Sequence, residues 1–335
     1  MPGRRIPLPV EERPMSDHAP PEVLTEEELR ATCLRLRNWG RWGPEDQRGT
    51  VNHVTPEMVV AASRLVRAGQ SFSLAMPFDQ NGPQTGRRGR HNPIHYMIQS
   101  GTDAHSGCQD ADGLRYADDA VLMPTQCGTQ WDALSHVFYD EHMYNGFDLR
   151  LVSSRGAERC GIEHVSDRMA GRGVLLDVAG HLGVAALEDG FPIRAALLEA
   201  VAEAQGTVVG AGDFLLVRTG QLGQCLDSGD WGTFAGGAAP GLAFDTLDWI
   251  QERCLAAVCS DTFAVEVRPE ATRTIRRPWH WVAIPNMGLS VGEIFVLDPL
   301  AEACRADGHF DFLFVAPPLP ITGAVGSPVN PMALR

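Results

Sequence analysis

Short apolar runs, each bounded by polar or glycine-containing segments, recur through the second half of the chain. Four of them have the length and the Gly or Asp boundaries that are typical of buried strands: 174–178, 214–217, 256–259 and 310–315. Longer stretches with apolar residues at helical spacing predict helices at 193–204, 246–253 and 292–305. Strands that alternate with helices in this way predict a mixed α/β fold.

The first half of the chain carries two local helix signals. Thr25 is followed three residues later by Glu28, a capping-box pattern that predicts a helix running toward Arg37. Thr55 precedes Pro56, a residue suited to the first position of a helix, and apolar residues follow at helical spacing. Two further helices are therefore expected before the strand-rich half.

Two segments lack apolar periodicity. Residues 1–23 hold six prolines among mixed charges, so we predict a flexible N-terminal arm, followed by a single domain over residues 24–335. Residues 79–92 are rich in Gly, Arg, Asn and Gln, and they are predicted to form a long loop beside a functional site. The arginines at 87, 88 and 90 in this loop are suited to an anionic substrate.

The composition narrows the class of protein. Hydrophobic residues make up 44% and charged residues 21% of 335 positions, as is typical of globular enzymes. The net charge of −14 argues against a nucleic-acid partner. No apolar run reaches the roughly 20 residues that span a bilayer, so no membrane partner is expected. Because the eight cysteines form no CxxC pair, they are predicted to be reduced thiols in a cytoplasmic protein.

Residues 126–136 carry the strongest chemical signal. If this segment is extended, Gln126, Gly128, Gln130 and Asp132 project from one face, because side chains alternate sides along a strand. His136 follows four residues after Asp132 and can transfer a proton near neutral pH. The segment therefore predicts a binding strand followed by an acid/base group.

A second candidate pair lies near the C-terminus. His280 and Glu293 are thirteen residues apart, with Pro285 and Gly288 between them, a spacing that allows a loop to bring both side chains into one pocket. On its own the pair is weak evidence, because both residue types are usually exposed.

Several stretches together resemble the metal-dependent cyclase family, which contains kynurenine formamidases, isatin hydrolases and trans-dienelactone hydrolases. The stretches occur in the family's order and span most of the chain: 128–136, 171–177, 212–220, 280–293 and 318–331. The resemblance implies a swivelling β/β/α fold with a barrel-like sheet and outer helices. It also implies a homodimer or homotetramer.

The family signature, HxGTHxDxPxH, is altered in this chain. In the family, both early histidines and the aspartate bind Zn²⁺ or Mn²⁺, and the last histidine acts in proton transfer. Asp132 matches the aspartate and His136 the last histidine. Gln126 and Gln130 stand in place of the two ligand histidines, and Leu134 replaces the proline.

His280 and Glu293 resemble the family's downstream pair, which can complete a metal site. The implied metal ligands are Gln126, Gln130, Asp132, His280 and Glu293. A glutamine carbonyl is a harder and weaker donor than imidazole, so the substitutions favour Mn²⁺ or Mg²⁺ over Zn²⁺. A divalent ion among Mn²⁺, Zn²⁺ and Mg²⁺ is expected, and a metal-free site stays open.

Three hypotheses for the glutamines follow. In the first, Gln126 and Gln130 ligate a hard cation while His136 acts as general base. In the second, no metal is bound, and the amides hold the substrate while His136, Asp132 and Glu293 perform acid/base chemistry. In the third, the site is inactive and the amides belong to a satisfied hydrogen-bond network.

The predicted function is hydrolysis of an amide, cyclic amide or lactone bond in a small-molecule substrate. The predicted catalytic residues are His136, Asp132 and Glu293, and the predicted substrate-binding residues are Gln126, Gln130, Trp131 and His95. Trp131 suits a core position equally well, since tryptophans are common in cores. The alternatives are a metal-independent cyclase or lyase of secondary metabolism and a non-catalytic small-molecule binding protein.

Overall fold

A computed structural model describes residues 24–268, 275 and 277–335. The arm predicted over residues 1–23 lies outside the described residues, and the division of the chain into arm and domain stays a prediction. Within the described ranges, no helix is long and apolar enough to cross a bilayer.

Helices and strands alternate along the described chain. The helices are α1 (Glu26–Arg35), α2 (Pro56–Ser63), α3 (Gly101–His105), α4 (Val178–His181), α5 (Ala195–Ala204), α6 (Gln221–Ser228), α7 (Thr246–Glu252), α8 (Pro278–Val282) and α9 (Asp298–Asp307). The strands are β1 (Ser71–Ser73), β2 (Ile94–Gln99), β3 (Asp118–Leu122), β4 (Gln130–Asp132), β5 (Val152–Ser153), β6 (Gly156–Ala157), β7 (Ala170–Asp177), β8 (Pro192–Ile193), β9 (Phe214–Arg218), β10 (Gly241–Leu242), β11 (Ala257–Ser260), β12 (Ser290–Glu293), β13 (Asp311–Val315), β14 (Gly326–Pro328) and β15 (Met332–Leu334).

Nine of these strands form one strongly curled, half-barrel sheet in the order β1-β15-β13-β7-β9-β11-β12-β4-β14. The central strands β7, β9, β11 and β12 run parallel, and both flanks are antiparallel. The predicted mixed α/β fold with a barrel-like sheet is therefore confirmed. Separate two-stranded pairs join β2 to β3, β5 to β6, and β8 to β10.

The central strands are buried on both faces, which explains their continuous apolar sequences. Side-chain alternation divides each strand between two cores. One core contains residues of α1, α5, α7 and α8 together with Val174, Leu176, Leu215, Val217 and Val258. The other contains residues of α9 together with Leu175, Phe214, Leu216, Ala257 and Cys259.

Most predicted elements are present within a few residues of their expected bounds. α1 begins after a Thr25 capping box with Glu28, and α2 begins at Pro56 after Thr55, as the local signals predicted. The four strands predicted from apolar runs correspond to β7, β9, β11 and β13. The helices predicted at 193–204 and 246–253 correspond to α5 and α7.

The helix predicted over 292–305 is wrong in its first part. Residues Ser290–Glu293 form β12, which pairs with β11 on one side and with β4 on the other, and the helix begins only at Asp298. Hydrogen bonding to two neighbouring strands outweighs the helical spacing of the apolar residues. Glu293 therefore projects from a strand.

The segment before Asp132 is extended over a shorter range than the motif suggested. Only Gln130–Asp132 forms a strand, while residues 126–129 form turns and bends. The Thr129 hydroxyl accepts a hydrogen bond from the Met76 amide at 2.9 Å and donates to the Ile294 carbonyl at 2.6 Å. These bonds anchor the turn to neighbouring segments. Because Gln126 lies in this turn and not in β4, it does not share the strand face with Gln130 and Asp132.

Gly288 closes the turn between a π-helix at Ala283–Met287 and β12, and its φ is +70°. A Cβ atom at this position would lie 2.3 Å from the Tyr144 ring. We expect Gly288→Ala to lower the free energy of unfolding by about 2–4 kcal/mol, from left-handed backbone strain plus overpacking. Urea denaturation measures this loss.

Gly40 provides the matched control, because its φ is +75° but no described atom lies within 4 Å of an added Cβ. Gly40→Ala should therefore show the backbone cost alone, about 1–2 kcal/mol. Equal losses for the two variants would show that the Tyr144 contact contributes nothing.

Candidate functional site

The candidate site is built first by the pairing of β4 with β12. Gln130 lies directly opposite Glu293 in this antiparallel register, and Asp132 lies opposite Val291. Because directly opposite residues share a face, and because strand side chains alternate, Gln130, Asp132 and Glu293 project from the same side. All three are at least 95% buried.

His280 completes the group from α8. The π-helix and Gly288 return the chain from α8 into β12, and this brings His280 Nε2 to 3.5 Å from Glu293 Oε1. One potential ligand atom from each of Asp132, His280 and Glu293 lies within 4.8 Å of the others. The structure therefore brings together the two distant sequence segments that the spacing pointed to.

Glu266 orients the imidazole of His280. Its Oε1 lies 2.8 Å from His280 Nδ1, and its Oε2 accepts a hydrogen bond from the Trp279 amide at 3.0 Å. With Nδ1 engaged in this way, Nε2 faces Glu293. A carboxylate behind a histidine is a common outer-shell partner in metal sites, where it sets the tautomer and the ring orientation.

Burial and charge compete in this pair. Burial disfavours a charged imidazole, but Glu266 and Glu293 outweigh that effect and raise the pKa of His280 to about 10. Burial also works against a charged Glu266, yet His280 and Arg277 hold its pKa below the usual value. The two side chains therefore form a buried ion pair when no cation is bound, and a cation at Nε2 would take the place of the proton on that nitrogen.

Glu266 is the functional residue that sequence reasoning did not assign. No role was predicted for this glutamate from the sequence. Glu266 lies fourteen residues before His280, and no periodicity or motif links the two. Only the fold places them in contact.

Gln130 bridges the two carboxylates and leaves one atom without a partner. Its Nε2 donates to Asp132 Oδ1 at 3.3 Å and to Glu293 Oε2 at 3.2 Å. Its Oε1 is buried and has no hydrogen-bond partner among the described residues. A buried unsatisfied carbonyl costs about 1–3 kcal/mol, so this atom is a candidate ligand for a further group.

This donor set fits a hard divalent cation. Two carboxylates, one imidazole nitrogen and one amide oxygen match the ligands that Mn²⁺ and Mg²⁺ accept. Reversing the Gln130 amide would exchange its two end atoms and present the oxygen to the space between Asp132 and Glu293. The orphaned oxygen and the oriented Nε2 of His280 are the observations that support this fit.

His136 borders the group at a more exposed position. Its side chain is 22% exposed, and its Nε2 lies 3.8 Å from Asp132 Oδ1. Gln126 Nε2 lies 3.5 Å from the other ring nitrogen, Nδ1. Burial raises the pKa of Asp132 and Glu293 adds to this effect, while the charge of His136 opposes it. A histidine beside a buried carboxylate and open to solvent is suited to proton transfer.

Gln126 contacts His136 and does not join the buried group directly. Its Oε1 accepts a hydrogen bond from Thr125 Oγ1 at 2.9 Å, and its Nε2 donates to the Val325 carbonyl at 3.2 Å. These contacts hold the amide beside the His136 ring. The ligand and substrate roles of Gln126 stay predictions.

Two of the predicted substrate-binding residues contact residues elsewhere in the fold, outside this group. Trp131 is fully buried on the opposite face of β4, where its indole donates to the Ala316 carbonyl at 2.8 Å and its ring meets Phe295. The His95 side chain is half exposed on β2, and its Nε2 lies 2.8 Å from Asp119 Oδ2. The substrate-binding roles of Trp131 and His95 stay predictions.

A cavity of about 560 Å³ lies on the Glu266 side of the group, and its described lining includes none of the group's own residues. Its lining consists of Gln84, Thr85, Arg87, Arg88, Arg90, Ala235, Gly236, Gly237, Ala238, Phe263, Arg268 and Arg277. Arg277 Nη1 lies 3.5 Å from Glu266 Oε1, and Gln84 Nε2 donates to the Cys127 carbonyl at 2.9 Å. The lining therefore contacts Glu266, which orients His280, and Cys127, which follows Gln126 in the chain.

The chain is similar to a known family and to several solved structures. A family model described as "Putative cyclase" matches residues 72–267. A crystal structure of a novel cyclase is 39% identical, with a TM-score of 0.83, and the match covers 90% of this chain and 100% of that one. No curated protein matches.

Isatin hydrolases are similar in fold. One, bound to the product analogue thioisatinate, is 16% identical with a TM-score of 0.59, and the match covers 84% of this chain and 99% of that one. Isatin hydrolase A from Ralstonia solanacearum is 18% identical with the same TM-score, and the match covers 84% and 97% of the two chains.

Proposed function

The chain belongs to the cyclase family, and we propose that it hydrolyses an amide, cyclic amide or lactone bond with the help of a divalent cation. The observation that supports this most directly is the buried convergence of Asp132, His280 and Glu293. Isatin hydrolases, which share the fold, are named for hydrolysis of a cyclic amide. Fold alone does not define function, so the proposal depends on the site.

Asp132, His280 and Glu293 are the proposed ligands, and Gln130 is the proposed additional oxygen donor. When bound, the cation supplies Lewis-acid polarisation of the scissile carbonyl. Glu266 holds the His280 ring so that Nε2 faces the ligand position. Burial of the group excludes bulk water and strengthens each electrostatic interaction within it.

His136 is the proposed general base. Its ring accepts a proton from the attacking water, and the nearby Asp132 carboxylate stabilises the imidazolium that forms. The water oxygen bonds to the carbonyl carbon, the C–N or C–O bond breaks, and the imidazolium returns the proton to the leaving nitrogen or oxygen. Gln126 keeps the ring in place from the Nδ1 side.

One observation favours a second candidate. The Gln130 amide already donates to both Asp132 and Glu293, an arrangement in which the two carboxylates are satisfied by protein groups. A metal-independent cyclase or lyase would use this network with His136 as its acid/base group. Dependence of turnover on a divalent cation separates the two candidates.

The proposal is tested with a panel that contains an N-formyl aniline, isatin and a six-membered lactone, assayed with Mn²⁺. We expect hydrolysis of at least one compound. Chelation should lower the rate about 100-fold or more, because the cation supplies several kcal/mol, and Mn²⁺ should restore it. Hydrolysis that survives chelation would contradict the role of the cation, and no hydrolysis across the panel would contradict the proposed hydrolase activity.

Mn²⁺ titration of Asp132→Asn provides the binding measurement. Outer-shell changes alone cost about 10–100-fold in metal affinity, so loss of a direct ligand should cost about 100-fold or more. Asp227→Asn is the control, because Asp227 is exposed on α6 and its loss changes the net charge equally. Equal affinities in the two variants would exclude Asp132 as a ligand.

A further inference from the structure

We propose that the arginine-lined cavity beside the buried group binds the carboxylate of an anionic substrate, away from the bond that is broken. This inference rests on the proposed function, since it names the class of substrate that the same site takes. It concerns Arg87, Arg88 and Arg90 of the loop 79–92, together with Arg268 and Arg277 from the other side of the cavity.

The charge of the cavity is opposite to the charge of the molecule. The chain carries a net charge of −14, yet the described lining residues of this cavity include five arginines and no Asp or Glu. Grouped positive charges repel one another in a confined space, so an arrangement of this kind is favourable when an anion occupies it. A neutral substrate would leave the repulsion among Arg87, Arg88 and Arg90 without a counter-charge from the ligand.

Three of the arginines are available to a ligand. Arg87 and Arg88 are exposed and Arg90 is half-buried, and none of the three forms an ion pair with a described carboxylate. Arg87 Nη1 approaches Gly236, where an added Cβ would lie 3.0 Å from it. The opposite wall is therefore built from small residues, which leaves the space between the guanidinium groups open.

An apolar surface lies among these charges. Phe263 lines the cavity, and the guanidinium carbons of Arg90 and Arg268 lie 5.9 Å and 5.4 Å from its ring centroid. A guanidinium group binds carboxylate through paired N–H donors, and an aromatic face packs against the carbon skeleton of a ligand. The combination suits a carboxylate attached to a planar or apolar body.

The position of the cavity links it to the chemistry. Arg277 contacts Glu266, which orients His280, and Gln84 contacts the backbone beside Gln126. The charge of Arg90 is also one of those that act on Asp132. An anion held at Arg87, Arg88 and Arg90 would therefore lie near the residues that adjoin the buried group.

Binding of phthalate and of its neutral diamide, phthalamide, tests the inference by calorimetry. Both titrations contain a chelator, so that no cation can bind the carboxylates and no turnover is needed. Hydrogen bonds to charged groups are worth about 1.5–3 kcal/mol, so wild type should bind phthalate about tenfold or more tighter than phthalamide. Raising the salt concentration should reduce this preference.

The preference for phthalate over phthalamide should fall in the single variant Arg90→Gln. It should fall further, to within about threefold, in the triple variant Arg87→Gln, Arg88→Gln, Arg90→Gln. The control is a triple variant with the same net charge and substitutions at exposed positions elsewhere: Arg64→Gln, Arg67→Gln and Arg150→Gln. It should keep the wild-type preference. Thermal unfolding of all variants shows that each is folded.

Equal binding of the two probes by wild type would overturn the inference, and so would an unchanged preference in the folded triple variant. Neither result bears on hydrolysis, which is measured separately with Mn²⁺. Conversely, a phthalate preference that depends on these arginines supports the anion site even if the panel shows no hydrolysis. The two proposals can therefore fail independently.

Discussion

Replacing His136 by alanine is expected to lower the turnover number at least about 100-fold, because general acid–base groups contribute about 10²–10⁴-fold. The imidazole lies 3.8 Å from Asp132 and is open to solvent, so water can reach it directly. Its removal takes away the proton acceptor and leaves the buried ligands in place. Mn²⁺ affinity should therefore change far less than turnover, and both are measured on the same preparation.

Added imidazole should restore part of the activity of His136→Ala if the cavity left by the side chain admits it. The control is His309→Ala, which removes an exposed histidine after α9. Turnover by His136→Ala within a few-fold of wild type would exclude His136 as the base. A parallel loss of Mn²⁺ affinity would instead indicate that His136 supports the metal ligands.

Replacing Glu266 by glutamine should lower Mn²⁺ affinity about 10–100-fold, although Glu266 is a positioning residue that touches neither metal nor substrate. The glutamine keeps the shape and an acceptor for His280 Nδ1, but it removes the negative charge that holds the imidazole. His280 would then be a weaker and less firmly oriented ligand. Isothermal titration of Mn²⁺ into the folded variant measures the effect directly.

Glu163→Gln provides the comparison, because Glu163 also accepts a backbone hydrogen bond, from Gly323, outside the site. It should leave Mn²⁺ affinity unchanged. Glu266→Asp, which keeps the charge, should recover part of the affinity. If Glu266→Gln binds Mn²⁺ as wild type does, then His280 is oriented by other contacts, or it is not a ligand.

Elements with local signals could be predicted from the sequence. The capping box at Thr25 and the proline at position 56 specify helix starts through hydrogen bonds and backbone geometry within a few residues. The apolar runs of β7 and β9 identify strands because both faces are buried. β12 was assigned to a helix because its pairing with β4 involves residues far apart in sequence.

Most residues of the candidate site could be predicted from the sequence, but their contacts could not. The altered signature identified Asp132 and His136, and the downstream stretch identified His280 and Glu293. Their convergence could be expected from the resemblance, and the structure brings Asp132, His280 and Glu293 together. Gln130 was predicted as a metal ligand or a substrate-binding residue, but its contacts could not be predicted, because two hydrogen bonds and one orphaned oxygen depend on the exact positions of two neighbouring strands.

The amino-acid sequence alone determined the class of fold, the two capped helices, the central strands and the four ionisable residues of the candidate site. These features depend on local hydrogen bonds, on apolar periodicity and on a motif of eleven residues. The tertiary structure decided the roles of Glu266, the orphaned oxygen of Gln130 and the cavity lined by arginines. Each depends on atoms from segments far apart in sequence, and the distances between such atoms are set by the tertiary fold and not by local sequence.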